Sequence, residues 1–171
     1  MDSPTAEVSP EVVTVIDLDD NVIDALPRPR VKAEGLTYRV TYILVFSSGG
    51  EILVQKRTDT KDWCPGYHDL AAGGIIQFDE SYELSAQREL EEELGITAEL
   101  ISQFDVFYDD LAGSKLNRNW GRVYTCVHDG PFRLQPEEVA SVEFMSVDKA
   151  LAMDPQIVAP DTRQVLIAYI S

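Results

Sequence analysis

The sequence predicts a mixed α/β domain built in layers, and three observations carry that expectation. Strand-like runs outnumber helical ones, one long amphipathic helix separates two groups of strands, and the segments between them are short Pro, Gly and Asp clusters. A chain of 171 residues, 44% hydrophobic and 26% charged, is long enough to bury a core as one domain without disulfide or metal staples.

Residues 1–10 hold two prolines and little apolar content and read as a loose tail. The domain is expected over 11–171 and opens with a β-hairpin over 11–30. In "VVTVIDLDDNVIDAL" (12–26), two β-rich runs flank the acidic turn Asp19-Asp20-Asn21. "PRPR" (27–30) then breaks regular structure. "YRVTYILVF" (38–46) is apolar enough for a buried strand, "SSGG" turns the chain, and "EILVQKR" (51–57) returns. Pro65-Gly66 and Gly73-Gly74 punctuate the loop-rich stretch that follows. The strongest helix runs from about Asp79 to Leu94. Further strands are expected at 101–108, 121–127 and 141–147, and short helices at 147–153 and 161–170, the last with Asp161 as N-cap. There is no internal repeat.

The net charge of −16 argues against a duplex nucleic acid partner, which needs clustered Lys and Arg. It does not forbid a small anionic substrate if metal cations mediate the contact. No apolar run reaches the roughly 20 residues needed to cross a bilayer, so no membrane partner is expected. "MDSPTAEVSP" lacks the basic and apolar regions of a secretory signal. Cys64 and Cys126 are too few for a disulfide framework and lack metal-pair spacing. These absences make a cytoplasmic location the expectation.

The informative stretch is "RELEEELG" (88–95). At about 100° per residue, Glu89, Glu92 and Glu93 share an arc of about 100° beside the apolar stripe Ala86, Leu90 and Leu94. The same arithmetic puts Glu80, Gln87 and Glu91 on the opposite, solvent-facing side. A solvated acidic face is the usual account of such a run. Here the acids sit at the C-terminal end of the helix, where the macrodipole disfavours each by about 0.3–1 kcal/mol. Arg88 is the one cation in the run. A divalent ion would relieve both penalties, and Mg²⁺ prefers hard oxygen ligands of this kind.

From Gly74 the spacing is five residues to Glu80, seven to Arg88-Glu89-Leu90, one to Glu92-Glu93, and one to Gly95-Ile96. This resembles the Nudix box of the Nudix hydrolases at every fixed position. The resemblance implies the Nudix fold, an α/β/α sandwich with a mixed β-sheet on which the box packs as loop–helix–loop. It also implies a metal-dependent pyrophosphohydrolase, using Mg²⁺ or Mn²⁺, that cleaves a nucleoside-diphosphate-like or other organic diphosphate by water attack. Divalent ions suit that task because they clamp phosphate oxygens and lower the pKa of water.

By that resemblance Glu89, Glu92 and Glu93 are metal ligands, Glu89 or Glu93 is also the general base, and the Gly73 carbonyl is a further ligand. Arg88 and Glu80 orient the carboxylates, and Gly74 lies against the substrate. Gly73-Gly74 would let backbone approach a metal or phosphate where a Cβ would collide, the bland account being a simple turn. Gly95 reads as an αL helix cap. An acidic ligand outside the box is expected in "QPEEVASVEF" (135–144), with Glu138 first and Glu137 second, against solvated loop glutamates. Trp63, Tyr67, Phe107, Tyr108 and Trp120 could stack on a base but are more often core. His68 and His128 stand isolated. Loops such as 58–70 and 108–121 would read the group beyond the diphosphate. A homodimer is compatible with the exposed edge of the hairpin.

Residues 11–150 also resemble the branch that contains type I isopentenyl-diphosphate isomerase. The isomerase cysteine falls at Ala72, its histidine ligands at Val31, Tyr38 and Gly74, and its late acids near Trp120 and Arg122, so all those groups are missing. Cys64 is expected to be a small buried hydrophobe. The isomerase is thus the weaker alternative, as is a non-catalytic ligand- or protein-binding module, against which the intact box argues.

Overall fold

The computed structural model describes residues 11–110 and 117–171. The expected tail at 1–10 and the middle of the 108–121 loop lie outside the described residues. The chain runs β1 (Val12–Ile16), β2 (Val22–Pro27), α1 (Arg28–Ala33), β3 (Tyr38–Phe46), β4 (Ile52–Arg57), β5 (His68–Asp69) and α2 (Tyr82–Leu94). It continues through β6 (Ile101–Asp109), β7 (Arg118–Val127), β8 (Val139–Met145), α3 (Val147–Leu151), a 3₁₀ turn at Pro155–Ile157 and α4 (Pro160–Ile170).

β7 begins earlier than expected and β8 lies two residues earlier, and three further departures have clear local causes. "PRPR" does not simply break structure: Pro27 ends β2, and Pro29 sits in the first turn of α1, where its missing N–H is no loss. The helix so begun drives Val31 into the core. α2 starts at Tyr82 because Ser81 Oγ accepts the Leu84 N–H at 3.1 Å, while Asp79 has a φ of 64° that no α-helix tolerates. Asp161 is not the N-cap of α4. Ala159 holds that position, Pro160 takes the first helical one, and the Asp161 side chain turns toward Tyr42 and Trp63.

β3 is the central strand. It runs parallel to β7 from Tyr38↔Asn119 to Phe46↔Val127 and meets β1 at Val15↔Tyr38. β2 extends the sheet beyond β1, and β6 extends it beyond β7. β3 and β4 share only the pair Phe46↔Ile52 before diverging, and β4 then pairs with β5 and β8. The segment 72–76 wedges into the gap. Ile43 N–H donates to the Ala72 carbonyl at 2.8 Å and Thr41 N–H to the Gly74 carbonyl at 3.0 Å.

Side chains alternate across a strand, so β3 serves two cores. Tyr38, Val40, Tyr42 and Leu44 pack with Val31 of α1 and with Val165 and Leu166 of α4. Ile43 and Val45 pack with Ala86, Leu90 and Leu94 of α2. Burial on both faces explains why this run is apolar without alternation. The outcome is the expected α/β/α sandwich around a mixed sheet. Among the described residues, no helix is long and apolar enough to cross a membrane.

Candidate active site

α2 carries the box carboxylates to the rim of a cleft. Gly95, in the left-handed conformation at φ 65°, ends the helix with its N–H on the Glu91 carbonyl at 3.0 Å. Burial of Ala86, Leu90 and Leu94 fixes the helix rotation. Glu93 is thereby forced inward, to 9% exposure, while Glu92 stays at the rim and Glu91 faces water.

Glu80 is not on the solvent side. It precedes the Ser81 cap, so helical arithmetic does not extend to it, and its side chain turns back under α2. There Arg88 grips it through Nε at 2.6 Å and Nη2 at 3.0 Å, and the Gln77 N–H donates at 3.1 Å. Arg88 Nη1 is shared between Glu89 and Glu92, both at 3.1 Å. A planar guanidinium matches this fork geometry, which an ammonium cannot reproduce.

Burial pushes the Glu89 carboxyl above the usual carboxylate range against the pull of Arg88, and repulsion from Glu92 adds to it. Burial also raises Glu93, with repulsion from Glu89 adding and Lys61 opposing. Burial acts on Glu80 too, but there the Arg88 fork overcomes it and holds the carboxyl below its ordinary value.

The glycines prove to be packing requirements of the protein itself. Gly73 has φ 137°, and a Cβ there would sit 2.8 Å from the Thr41 carbonyl carbon of β3. A Cβ on Gly74 would lie 2.7 Å from Glu89 Cδ. The ladder to β3 uses the Ala72 and Gly74 carbonyls and skips that of Gly73, whose N–H faces Glu93 Oε2 at 3.5 Å.

Glu138 lines the same cleft and pairs there with Lys61; Glu137 is not part of the lining. Of the five aromatics singled out, Trp63 lines the cleft, Tyr108 is buried at its edge, and Phe107 packs on Trp120. His68 belongs to β5, and His128 Nδ1 accepts the Gly130 N–H. Tyr38, Tyr42, Asp69, Asn117, Asn119 and Asp161 also line the cleft; sequence reasoning named none of them individually for this site, although Asp69 lies in the 58–70 loop and Asn117 and Asn119 in the 108–121 loop expected to read the group beyond the diphosphate.

Where an isomerase needs its groups, Val31 and Ala72 are buried apolar residues and Arg122 forks onto Asp105 at 2.8 and 3.1 Å. Cys64 is half-buried, not buried. It holds a turn at φ 46°, lies outside the cleft lining, and burial pushes its thiol up to about 12.

Among the described residues, no three His, Cys, Asp or Glu side chains stand together as a ready metal cluster. Arg88 and Lys61 take the charges of Glu89, Glu92 and Glu138 that a divalent ion would take. The donor set still suits a hard cation: all oxygen, partly buried, and including two carboxylates whose burial disfavours their charge.

The Nudix domain profile matches residues 36–168. The chain belongs to the Nudix hydrolase family. The uncharacterized Nudix hydrolase PA4841 of Pseudomonas aeruginosa is 42% identical over 161 residues, covering 94% of each chain. An isopentenyl-diphosphate Delta-isomerase of Serratia proteamaculans is 30% identical over 141 residues, 81% of this chain and 78% of the other. The crystal structure of DR0079 from Deinococcus radiodurans matches in fold with a TM-score of 0.78 at 19% identity, covering 92% of this chain and 98% of that one. Nudix hydrolases act on acid anhydrides in phosphorus-containing compounds and generally use divalent metal cations.

For this Nudix hydrolase, Arg88→Lys keeps the charge and loses the fork. Its turnover is expected to fall about tenfold or more, on the scale of misplaced catalytic groups, while thermal unfolding changes little. Steady-state kinetics beside a melting curve checks both.

Proposed function

We propose that the chain is a Mg²⁺-dependent pyrophosphohydrolase, with Mn²⁺ also accepted, that cleaves a nucleoside-diphosphate-like or other organic diphosphate by water attack. One observation carries this reading: Glu93 is buried and Glu89 largely so at a single cleft, both with their carboxyls raised, and Glu92 and Glu138 line the same cleft. Glu89, Glu92, Glu93 and the Gly73 carbonyl would hold the ion, with Glu138 the candidate ligand outside the box. When bound, the ion would neutralise phosphate charge and acidify the attacking water. A carboxyl raised toward neutrality makes Glu89 or Glu93 a competent proton acceptor for that water. Arg88, anchored on Glu80, keeps Glu89 and Glu92 aimed at the cleft. Arg57 and Lys61, paired with Asp69 and Glu138, also line the cleft and offset part of its negative charge.

The test is a metal-dependent screen of nucleoside triphosphates, dinucleotides, nucleotide sugars, coenzyme A and prenyl diphosphates, with phosphorus release as the readout. Calorimetric titration with Mg²⁺ and Mn²⁺ accompanies it. Absence of binding heat and of hydrolysis would reject the reading. Rearrangement of a prenyl diphosphate without phosphorus release would replace it with the isomerase.

A further inference from the structure

The loop between β4 and β5 reaches across the cleft. Backbone bonds close its base: the Gly66 N–H donates to the Thr58 carbonyl at 3.1 Å, and the Arg57 N–H to the Tyr67 carbonyl at 2.8 Å. Its tip, Lys61-Asp62-Trp63, lines the cleft and is held to the walls by side chains on three different elements. Asp62 lies 3.7 Å from Arg28 of α1, on the side of β1 and β2. Trp63 Nε1 faces Asp161 Oδ1 of α4 at 3.5 Å. Lys61 pairs with Glu138, which precedes β8 on the other side.

These ties are unequal. The Asp62–Arg28 pair is long and open to water, a geometry worth little. The indole contact is at the limit of a hydrogen bond. The Lys61 side chain is 17% exposed, so its pairing with Glu138 is the best shielded of the three and the main hold on the tip. That tie also has a second claimant. Glu138 is the candidate metal ligand outside the box, and Lys61 acts as well on the buried charge of Glu93. One ammonium thus serves two of the carboxylates that would hold a divalent ion. Two cations cannot share those oxygens at contact distance, because their repulsion is strong where water is largely excluded.

We propose that Lys61 is a built-in counter-ion that yields Glu138 to the metal, so that metal loading releases the tip of the 58–66 loop from the β8 side of the cleft. The inference rests on the hydrolase reading for the metal and deepens it by linking the ion to the loop. The metal-free protein keeps the tip tied down, and the loaded protein frees it.

Two readouts that need no turnover test this. Mn²⁺ binding without substrate is followed by loss of the free-ion electron paramagnetic resonance signal. Lys61→Met is expected to bind at least about tenfold more tightly than wild type, because the competing cation is gone. Removing a nearby positive charge would tighten binding by itself, so the second readout follows the loop. In a Trp120→Phe background Trp63 is the sole tryptophan and reports the tip. Saturating Mg²⁺ is expected to move its emission to the red. Glu138→Gln and Lys61→Met are each expected to show the red-shifted emission without metal. Equal Mn²⁺ affinity of wild type and variant overturns the inference, and so does Trp63 emission that neither Mg²⁺ nor Glu138→Gln moves. If Lys61→Met does not fold, Lys61→Gln is read by the same criteria, and if neither folds the emission of wild type and Glu138→Gln decides. Mn²⁺ bound equally by both proteins would remove this inference and leave the hydrolase reading standing. Mn²⁺ bound by neither would remove both.

Discussion

Glu93→Gln is expected to lower the proposed Mg²⁺-dependent diphosphate hydrolysis at least about a hundredfold, on the scale of losing a metal-activated nucleophile or its base. In the metal-free protein the same substitution is expected to raise the melting temperature at alkaline pH. The two effects share one cause, a carboxylate held where its charge is disfavoured. Burial and the neighbouring Glu89 raise the folded-state value of Glu93 above the ordinary 4.5. Protons therefore bind the folded form more tightly than the unfolded one. The contribution of Glu93 to wild-type stability is full below the ordinary carboxylate value and is lost as pH rises through the raised one. The neutral amide of the variant carries no such charge, so the variant loses less. Melting curves of both proteins at about pH 5 and about pH 8.5, with and without Mg²⁺, separate the contributions. Mg²⁺ should rescue the wild type more than the variant. Parallel pH profiles, or unchanged turnover, would remove Glu93 from the mechanism.

Gly73→Ala is expected to destabilise the fold by about 3 kcal/mol or more, among the larger effects of a single methyl group. Two penalties coincide at this residue. A φ of 137° is a conformation that side chains rarely adopt, and the added Cβ meets the Thr41 backbone, which is fixed within the central strand. Relief requires the 72–76 segment to move off β3, losing the hydrogen bonds from Thr41 and Ile43. Gly74→Ala makes an instructive contrast. Its Cβ meets the end of the Glu89 side chain, which can swing away, so folding survives while activity falls. Urea unfolding of both variants decides the matter. A Gly73→Ala loss within about 1 kcal/mol would contradict the packing described for the wedge.

What is legible in the sequence follows from how far its causes reach. β3 is legible because a strand buried on both faces leaves the apolar run Tyr42–Phe46, and Gly95 is legible because a helix stop is local. The Nudix box is legible because the metal and diphosphate chemistry implied by its resemblance is written at fixed spacing on one short loop and the helix that follows it. Glu80 is misplaced by helical arithmetic because Ser81 ends the helical period one residue after it. Asp161 resembles a cap because an Asp after a proline at a helix start looks like one; only the position of Pro160 inside the first turn decides otherwise. β5 is two residues long and exists by pairing with Gln55 and Lys56 on one side and bridging Val158 on the other. Asp69, Asn117 and Asn119 acquire their surroundings through tertiary contacts, such as Leu70 N–H on Thr162 Oγ1 at 3.1 Å, and no local pattern announces those.

The near-separation of β3 from β4 has a mechanical consequence. Because the two strands touch at one pair, the sheet behaves as a wishbone whose prongs are braced independently, one by β7 and the other by β8. The Gly73-Gly74 strip is the shim between the prongs. Withdrawing it would break the bonds from Thr41 and Ile43 and pull the buried Ala72 and Ile76 out of the core. The strip therefore works as a fixed spacer, and the cleft lined by residues 71–75 keeps its width as long as those bonds hold.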